Sequence, residues 1–360
     1  MENKKGMNYQ KILIINLAGI GDLLLSTPAL KALRKSFPKA KILMLTSAKV
    51  YELAQEFEFI DKVFCIELNY GGIIGTANFW SQSIGLIRLR MERFDIAINM
   101  RTLVSDKSAH KMHALIKFIK PRKSAGRDTE KRGSFFDIKI PETQIGQKYE
   151  SDYDIDLVEA VGATVIDRKI DFKPKDNDLT DIKQKLLAKN ISKDSIIIGI
   201  HPGGMPTRRW PIEKFCQLME KISKEINCYF VITGGNNELS LEQRLVGTLP
   251  NRTISFINKL NINQTAALIS RCNVFVSNDT GPMHIAAILK TPLIALFGPG
   301  DIKRFDPRVI FEPAKVFYNK QECAPCEQVF CDNMQCMRSI DPETVAKTVI
   351  NLLKKDNNAE

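Results

Sequence analysis

The strongest constraint on this chain is its alternation of short apolar runs with segments of helical period. Residues 11–17, 41–46, 63–68 and 95–99 read as buried strands, with helical patterns such as 23–37 between them. A polar stretch at 171–181 interrupts the series. The alternation then restarts, with strands at 195–201, 228–233, 273–277 and 292–297 and helices at 211–226, 238–249 and 282–289. Apolar strands separated by helices imply parallel sheets covered on both faces. The chain is therefore expected to be α/β, with two doubly wound domains. Expected boundaries are 9–172 for the first domain, 173–190 for a linker and connecting helix, 191–341 for the second domain and 342–356 for a final amphipathic helix. A length of 360 residues suits this division, at roughly 100–200 residues per domain.

Ligands of doubly wound sheets sit at the carboxyl ends of the strands, so the loops there carry the chemistry. The first strand ends in N-L-A-G-I-G-D, residues 16–22. Gly19 and Gly21 permit a tight turn and close approach of a ligand to the backbone. Leu24 occupies the third glycine position of a dinucleotide fingerprint, so that motif fails, and no P-loop occurs anywhere in the chain. Asp22 remains, a carboxylate at a strand-to-helix turn: either a general base or a helix cap.

The second half has two anion-binding candidates. Residues 201–211, H-P-G-G-M-P-T-R-R-W-P, follow a strand directly, and Arg208 and Arg209 can clamp a phosphate. Residues 277–284, S-N-D-T-G-P-M-H, join a strand to a helix. Pro282 suits the first helical turn, where free N–H groups and the helix dipole favour a diphosphate. Asp279 and Thr280 could cap that helix, and His284 could touch a ligand or be structural. Together with the glycine turn at 298–300, these loops favour a nucleoside diphosphate.

Charge is uneven. The formal net charge is +11, and residues 101–148 hold 12 basic against 5 acidic residues. Such a region attracts anions: nucleic acid, an anionic membrane surface or a phosphorylated substrate. The segment 79–94 mixes apolar residues with Arg88, Arg90 and Arg93 and could lie on a membrane or pack on its domain. No apolar run approaches the ~18–20 residues of a membrane span. Asn16 and Asp22 interrupt the first apolar stretch, which argues against a cleaved signal, so a cytoplasmic protein is expected. Cys323, Cys326, Cys331 and Cys336 have a spacing compatible with a structural metal, with reduced thiols or with a disulfide.

The loops 16–22, H-P-G-G-(x)4-R-W-P and S-N-D-T-G-P-M-H-I-A-A, in this order, resemble glycosyltransferase family 9, which includes the lipopolysaccharide heptosyltransferases. The resemblance implies the GT-B fold, two Rossmann-like domains facing a cleft, with the acceptor on the N-terminal side and the nucleotide sugar on the C-terminal side. It also implies that the last helix returns across the N-terminal domain. Asp22 falls on the family's catalytic base, and Thr207 and Arg208 fall in the donor-phosphate loop, Arg208 where lysine is usual. With Arg209 beside them, Glu238 lies near a nucleotide-contacting acid, and Asp279, Thr280, Gly281 and His284 match the donor turn. Gly19, Gly21, Arg101, Lys107, Arg127 and Arg132 become candidate acceptor contacts.

The implied reaction is inverting transfer of heptose from ADP-heptose to the Kdo/heptose inner core of lipopolysaccharide. No metal ligand set accompanies the catalytic motifs, so no cofactor is expected for the reaction. The implied partners are the ADP-sugar, an anionic lipid A/Kdo acceptor and, transiently, the inner leaflet of the inner membrane, with no nucleic acid. Alternatives are another nucleotide sugar or acceptor, or a non-catalytic nucleotide-sugar binder. A nucleic-acid-binding protein would use the basic region and leave both phosphate loops unexplained.

Overall fold

The computed structural model describes residues 8–66, 76–326, 328 and 330–356. The chain divides after Ile170 into two compact units. The first holds β1 (Lys11–Asn16), β2 (Lys41–Ser47), β3 (Lys62–Ile66), β4 (Ile96–Asn99), β5 (Lys123–Thr129) and β6 (Ile138–Glu142), all parallel, in the order β3-β2-β1-β4-β5-β6. The second holds β7 (Ile197–His201), β8 (Tyr229–Ile232), β9 (Thr253–Ser255), β10 (Val274–Asn278), β11 (Leu293–Phe297) and β12 (Lys315–Tyr318), again all parallel. Its order is β12-β11-β10-β7-β8-β9. Both are the Rossmann order, which reverses direction at the β1–β4 and β7–β10 pairs. The apolar strand runs are buried on both faces: β4, β7, β10 and β11 are covered along their whole length.

The structure departs from the sequence reading in instructive places. The helix expected over 23–37 is two, Ile20–Leu25 and Thr27–Ser36, because Pro28 opens the second and cannot donate to the first. The expected strand 63–68 runs into 67 and 68, which lie outside the described residues. Within the basic region, helix Asp106–Ile119 and strands β5 and β6 form regular structure that charge alone concealed. In β5, K-S-A-G-R-D-T has no apolar pattern, yet β4 and β6 flank it. A Cβ on Gly126 would lie 2.3 Å from the Phe136 ring, so its glycine makes room for that core aromatic.

Within the expected linker and connecting helix, one helix lies in the second unit. Asp176–Leu187 buries Ile182 and Leu186 and packs on helix Ile262–Ser270, where Gln264 donates to Asp181 at 2.8 Å. The final amphipathic helix is Pro342–Asp356. Its buried residues Val345, Ala346, Val349, Ile350 and Leu353 join the second unit's core, and it packs on helix Ile212–Glu225.

Arg127 corrects another expectation. Proposed from sequence as an acceptor contact, it is fully buried. Its guanidinium donates to Glu150 at 2.7 Å, Asp154 at 2.6 Å, Thr102 at 2.7 Å and the Met100 carbonyl at 3.3 Å, and lies over the Tyr153 ring. It ties β5 to the segment after β4 and to helix Glu150–Ala160. Truncating one member of such a cluster strands buried charge. Arg127→Met is therefore expected to lower unfolding free energy by about 3–5 kcal/mol, read from urea denaturation. A loss below about 1 kcal/mol would remove the structural role.

Candidate active site

In the first unit the loop after β1 is built by polar residues at strand ends. Asn16 closes β1; its amide donates to Ser26 at 3.3 Å, and its carbonyl accepts from Thr46 at 2.9 Å. Asp22 stands in the first turn of the helix Ile20–Leu25, and one of its oxygens accepts from Gly19 N–H at 3.1 Å. The capping contact shapes the turn and orients the Asp22 carboxylate. Gly19 is half-buried, while Gly21 is buried within the helix.

The loop after β4 meets this turn. The Asn99 side chain donates to the Arg101 carbonyl at 2.7 Å and accepts from its N–H at 3.2 Å. Arg101 in turn donates to the Leu17 carbonyl at 3.1 Å. Lys107 stands exposed at the start of helix Asp106–Ile119. Arg132 is engaged by Asp106 at 3.2 Å, Glu130 at 2.7 Å and the Leu103 carbonyl at 3.2 Å. Beneath the loop, burial pushes the Asp154 carboxyl up to about 7 against the pull of Arg127, with the charges of Glu150 and Asp22 adding to the rise.

The second unit gathers almost all the predicted donor residues. Pairing of β10 with β7 sets Ser277 opposite His201, so the loops leaving both strands run side by side. The Asn278 amide donates to the carbonyls of Pro202 at 2.9 Å and Gly203 at 3.0 Å and accepts from Trp210 N–H at 3.1 Å. Trp210 is buried, edge-on to Phe215, and its indole donates to the Ile340 carbonyl. Between these anchors, Arg208 pairs with Asp279 at 3.1 Å, and Arg209 pairs with Glu238 at 2.8 Å while donating to the Gly204 carbonyl at 2.8 Å. The other Glu238 oxygen accepts from Gly235 N–H at 2.9 Å. Both arginines keep partial exposure beside the start of helix Gly281–Ile288, which follows the extended Thr280. Forked guanidiniums next to a helix N-terminus suit a diphosphate.

Two glycines are required by this packing. Gly204 has φ +126°, and a Cβ on Gly300 would sit 2.1 Å from an Asp279 oxygen. Thr207 departs from its predicted role: it is buried and its hydroxyl donates to the Gln328 carbonyl at 2.8 Å, so it supports the loop from behind. The same stretch is braced where Cys326 N–H donates to the Pro299 carbonyl. The four clustered cysteines are unpaired thiols, and among the described residues no three His, Cys, Asp or Glu side chains form a metal cage. Sequence reasoning missed Asn99 and Asn278 as positioning residues. Their signal was available: a lone amide ending an apolar run, as in I-A-I-N and V-F-V-S-N.

His284 is buried in the donor turn, and its Nδ1 has no hydrogen-bond partner among the described residues. His201 contacts the Thr233 hydroxyl at 3.1 Å. Burial lowers both imidazoles from 6.5 to about 4, so both are neutral at pH 7.

Two parallel Rossmann-type units, the second with an arginine-lined turn shaped for a nucleoside diphosphate, are the architecture of a GT-B glycosyltransferase. The chain belongs to glycosyltransferase family 9 (heptosyltransferase), whose profile matches residues 86–336. It is 26% identical over 354 residues to a lipooligosaccharide heptosyltransferase 2 of Campylobacter jejuni, covering 96% of this chain and 99% of the relative. Its fold is similar to a family 9 glycosyltransferase from Veillonella parvula (TM-score 0.74, 22% identity, 97% and 98% of the two chains). It is also similar to the ADP-heptose lipopolysaccharide heptosyltransferase II of Escherichia coli (TM-score 0.72, 20% identity, 96% and 99%).

Two outcomes are expected. Gly300→Ala should push Asp279 off Arg208 and weaken ADP binding about tenfold or more by calorimetry; unchanged affinity would separate the 298–300 turn from the donor site. The neutral histidines also set a pH dependence. Between pH 6.5 and 4 the unfolded imidazoles bind protons that the folded ones exclude, so stability present above 6.5 is lost as pH falls toward 4. Each contributes about 3 kcal/mol by this linkage. His284→Gln should flatten the decline in thermal midpoint across that window; a profile parallel to wild type would contradict it.

Proposed function

We propose that the protein transfers heptose from ADP-heptose to the Kdo/heptose inner core of a lipopolysaccharide, with inversion at the anomeric carbon. The observation that carries this reading is the donor cluster of the second unit, where Arg208–Asp279, Arg209–Glu238 and His284 Nδ1, unpartnered among the described residues, surround one helix start. The names of the relatives, heptosyltransferases of lipopolysaccharide and lipooligosaccharide, support heptose as the sugar and the core as acceptor.

In this reading the diphosphate lies on the N–H groups around Thr280–Pro282, with Arg208 and Arg209 turned toward its oxygens. Glu238 serves the nucleoside, while Asp279 and His284 address the sugar side. The acceptor hydroxyl attacks the anomeric carbon, its proton passing to the Asp22 carboxylate. The bond from that carbon to the diphosphate oxygen breaks, and ADP leaves with the electron pair. Preorganised donors acting on such a leaving group are worth roughly 3–4 kcal/mol each. Gly19 gives the acceptor close access, whereas Gly21 is buried and takes no direct part, and Arg101, Lys107 and Arg132 supply positive charge for its carboxylates and phosphates. Arg127 and the Thr207 hydroxyl, both spent on protein groups, take no direct part.

No metal is assigned to the reaction. The lipid-carried acceptor puts the work at the inner face of the inner membrane, approached from the cytoplasm. Among the described residues no helix is long and apolar enough to cross a membrane.

The test is transfer from ADP-heptose to Kdo-lipid A, wild type beside Asp22→Asn. Asparagine can still accept from Gly19 N–H but cannot take a proton. Transfer should fall by at least about 10²-fold while ADP affinity stays the same. Retention of most activity would reject Asp22 as base, and ADP binding without transfer by wild type would reject the sugar or the acceptor.

A further inference from the structure

Helix Thr76–Met91 packs on the first unit through the fully buried Leu89. Its opposite side presents Ile84, Ile87 and Met91, 49%, 50% and 73% exposed, with Arg88 among them. Steps of three and four residues put these on one stripe of the helix. The neighbouring helix Asp106–Ile119 extends the patch with Phe118, 39% exposed. Arg90 joins the two helices, donating to the Phe118 carbonyl with its guanidinium 5.6 Å from the Phe118 ring centroid.

Beside the apolar stripe the charge is of one sign. Arg90, Lys117 and Lys120 border a cavity of about 590 Å³. The acid among its lining residues, Asp137, is already held by Ser124, from N–H at 2.7 Å and from the hydroxyl at 2.8 Å. Lys111, also exposed, lies about two turns before Phe118 on the same side of the helix. A nucleic acid would answer this charge and leave the apolar stripe in water. An apolar protein groove would cover the stripe and leave the cations unanswered. A bilayer of anionic lipid satisfies both, with a hydrocarbon boundary beneath a layer of phosphates.

We propose that this α-helical face of the first unit docks on an anionic membrane, with Ile84, Ile87, Met91 and Phe118 entering the headgroup boundary and the basic cavity receiving a lipid phosphate. The inference rests on the reading that the acceptor is carried by a lipid, and it names the surface that would bring the enzyme to it.

The experiment is co-sedimentation of the full chain with phosphatidylcholine vesicles, with and without one third phosphatidylglycerol. Binding is expected only to the anionic vesicles and weakens with salt. Lys117→Gln with Lys120→Gln should weaken it about five-fold per residue. Ile87→Ser with Met91→Ser should weaken it as well, with all variants keeping wild-type transfer to a delipidated, water-soluble core oligosaccharide. Equal binding to both vesicle types, or variants that bind like wild type, would overturn the proposal. So would glycerol phosphate bound in solution as tightly as vesicles, which would make the cavity a free-anion site. A change in oligomeric state of the Ile87/Met91 variant by ultracentrifugation would make the stripe a self-association surface instead, again overturning it. Absence of transfer by wild type on the soluble acceptor counts against the proposed function and leaves the vesicle result standing.

Discussion

Parallel pairing of β7 with β10 is the constraint on which the donor site depends. These strands are far apart in sequence, yet they are neighbours at the point where the sheet order reverses. Parallel strands lie about 4.8 Å apart and end on the same edge, so their following loops must share one small volume. Without that pairing, Asn278 could not hold the carbonyls of Pro202 and Gly203, and Arg208 could not reach Asp279. The first unit repeats the device with β1 and β4, where Arg101 reaches back to the carbonyl of Leu17.

Charge in the two units obeys one rule with two results. Arg127 is wholly enclosed, and its cost of desolvation is met by two carboxylates, a hydroxyl and a carbonyl. Arg208 and Arg209 are each paired with one acid and keep part of their surface in water. An incoming diphosphate can therefore share those guanidiniums without first unpairing a buried core. The acids hold the arginines in position before a ligand arrives, which limits the ordering that binding must bring about.

Most of the central strands were legible because apolar runs such as I-I-G-I-H and L-I-A-L-F can only be buried. The loops that follow them were legible for the complementary reason, since glycine, proline and paired charges make poor strand or helix interiors. β5 was not legible: K-S-A-G-R-D-T owes its place to neighbours on both sides rather than to any periodicity of its own. Arg127 illustrates the limit most plainly. In sequence it sits among basic residues that face solvent, and only the packing of helix Glu150–Ala160 turns it inward.

The sequence by itself determined the α/β alternation, the two-part organisation and the chemical character of the loops, because these depend on local period, turn geometry and residue type. The tertiary structure decided which of those residues act together. It buried Arg127, gave the Thr207 hydroxyl to Gln328, left His284 Nδ1 unpartnered among the described residues and placed an apolar stripe beside a basic cavity. Each of those outcomes depends on contacts between segments distant in the chain or on the shape they enclose, and neither quantity is present in a one-dimensional pattern.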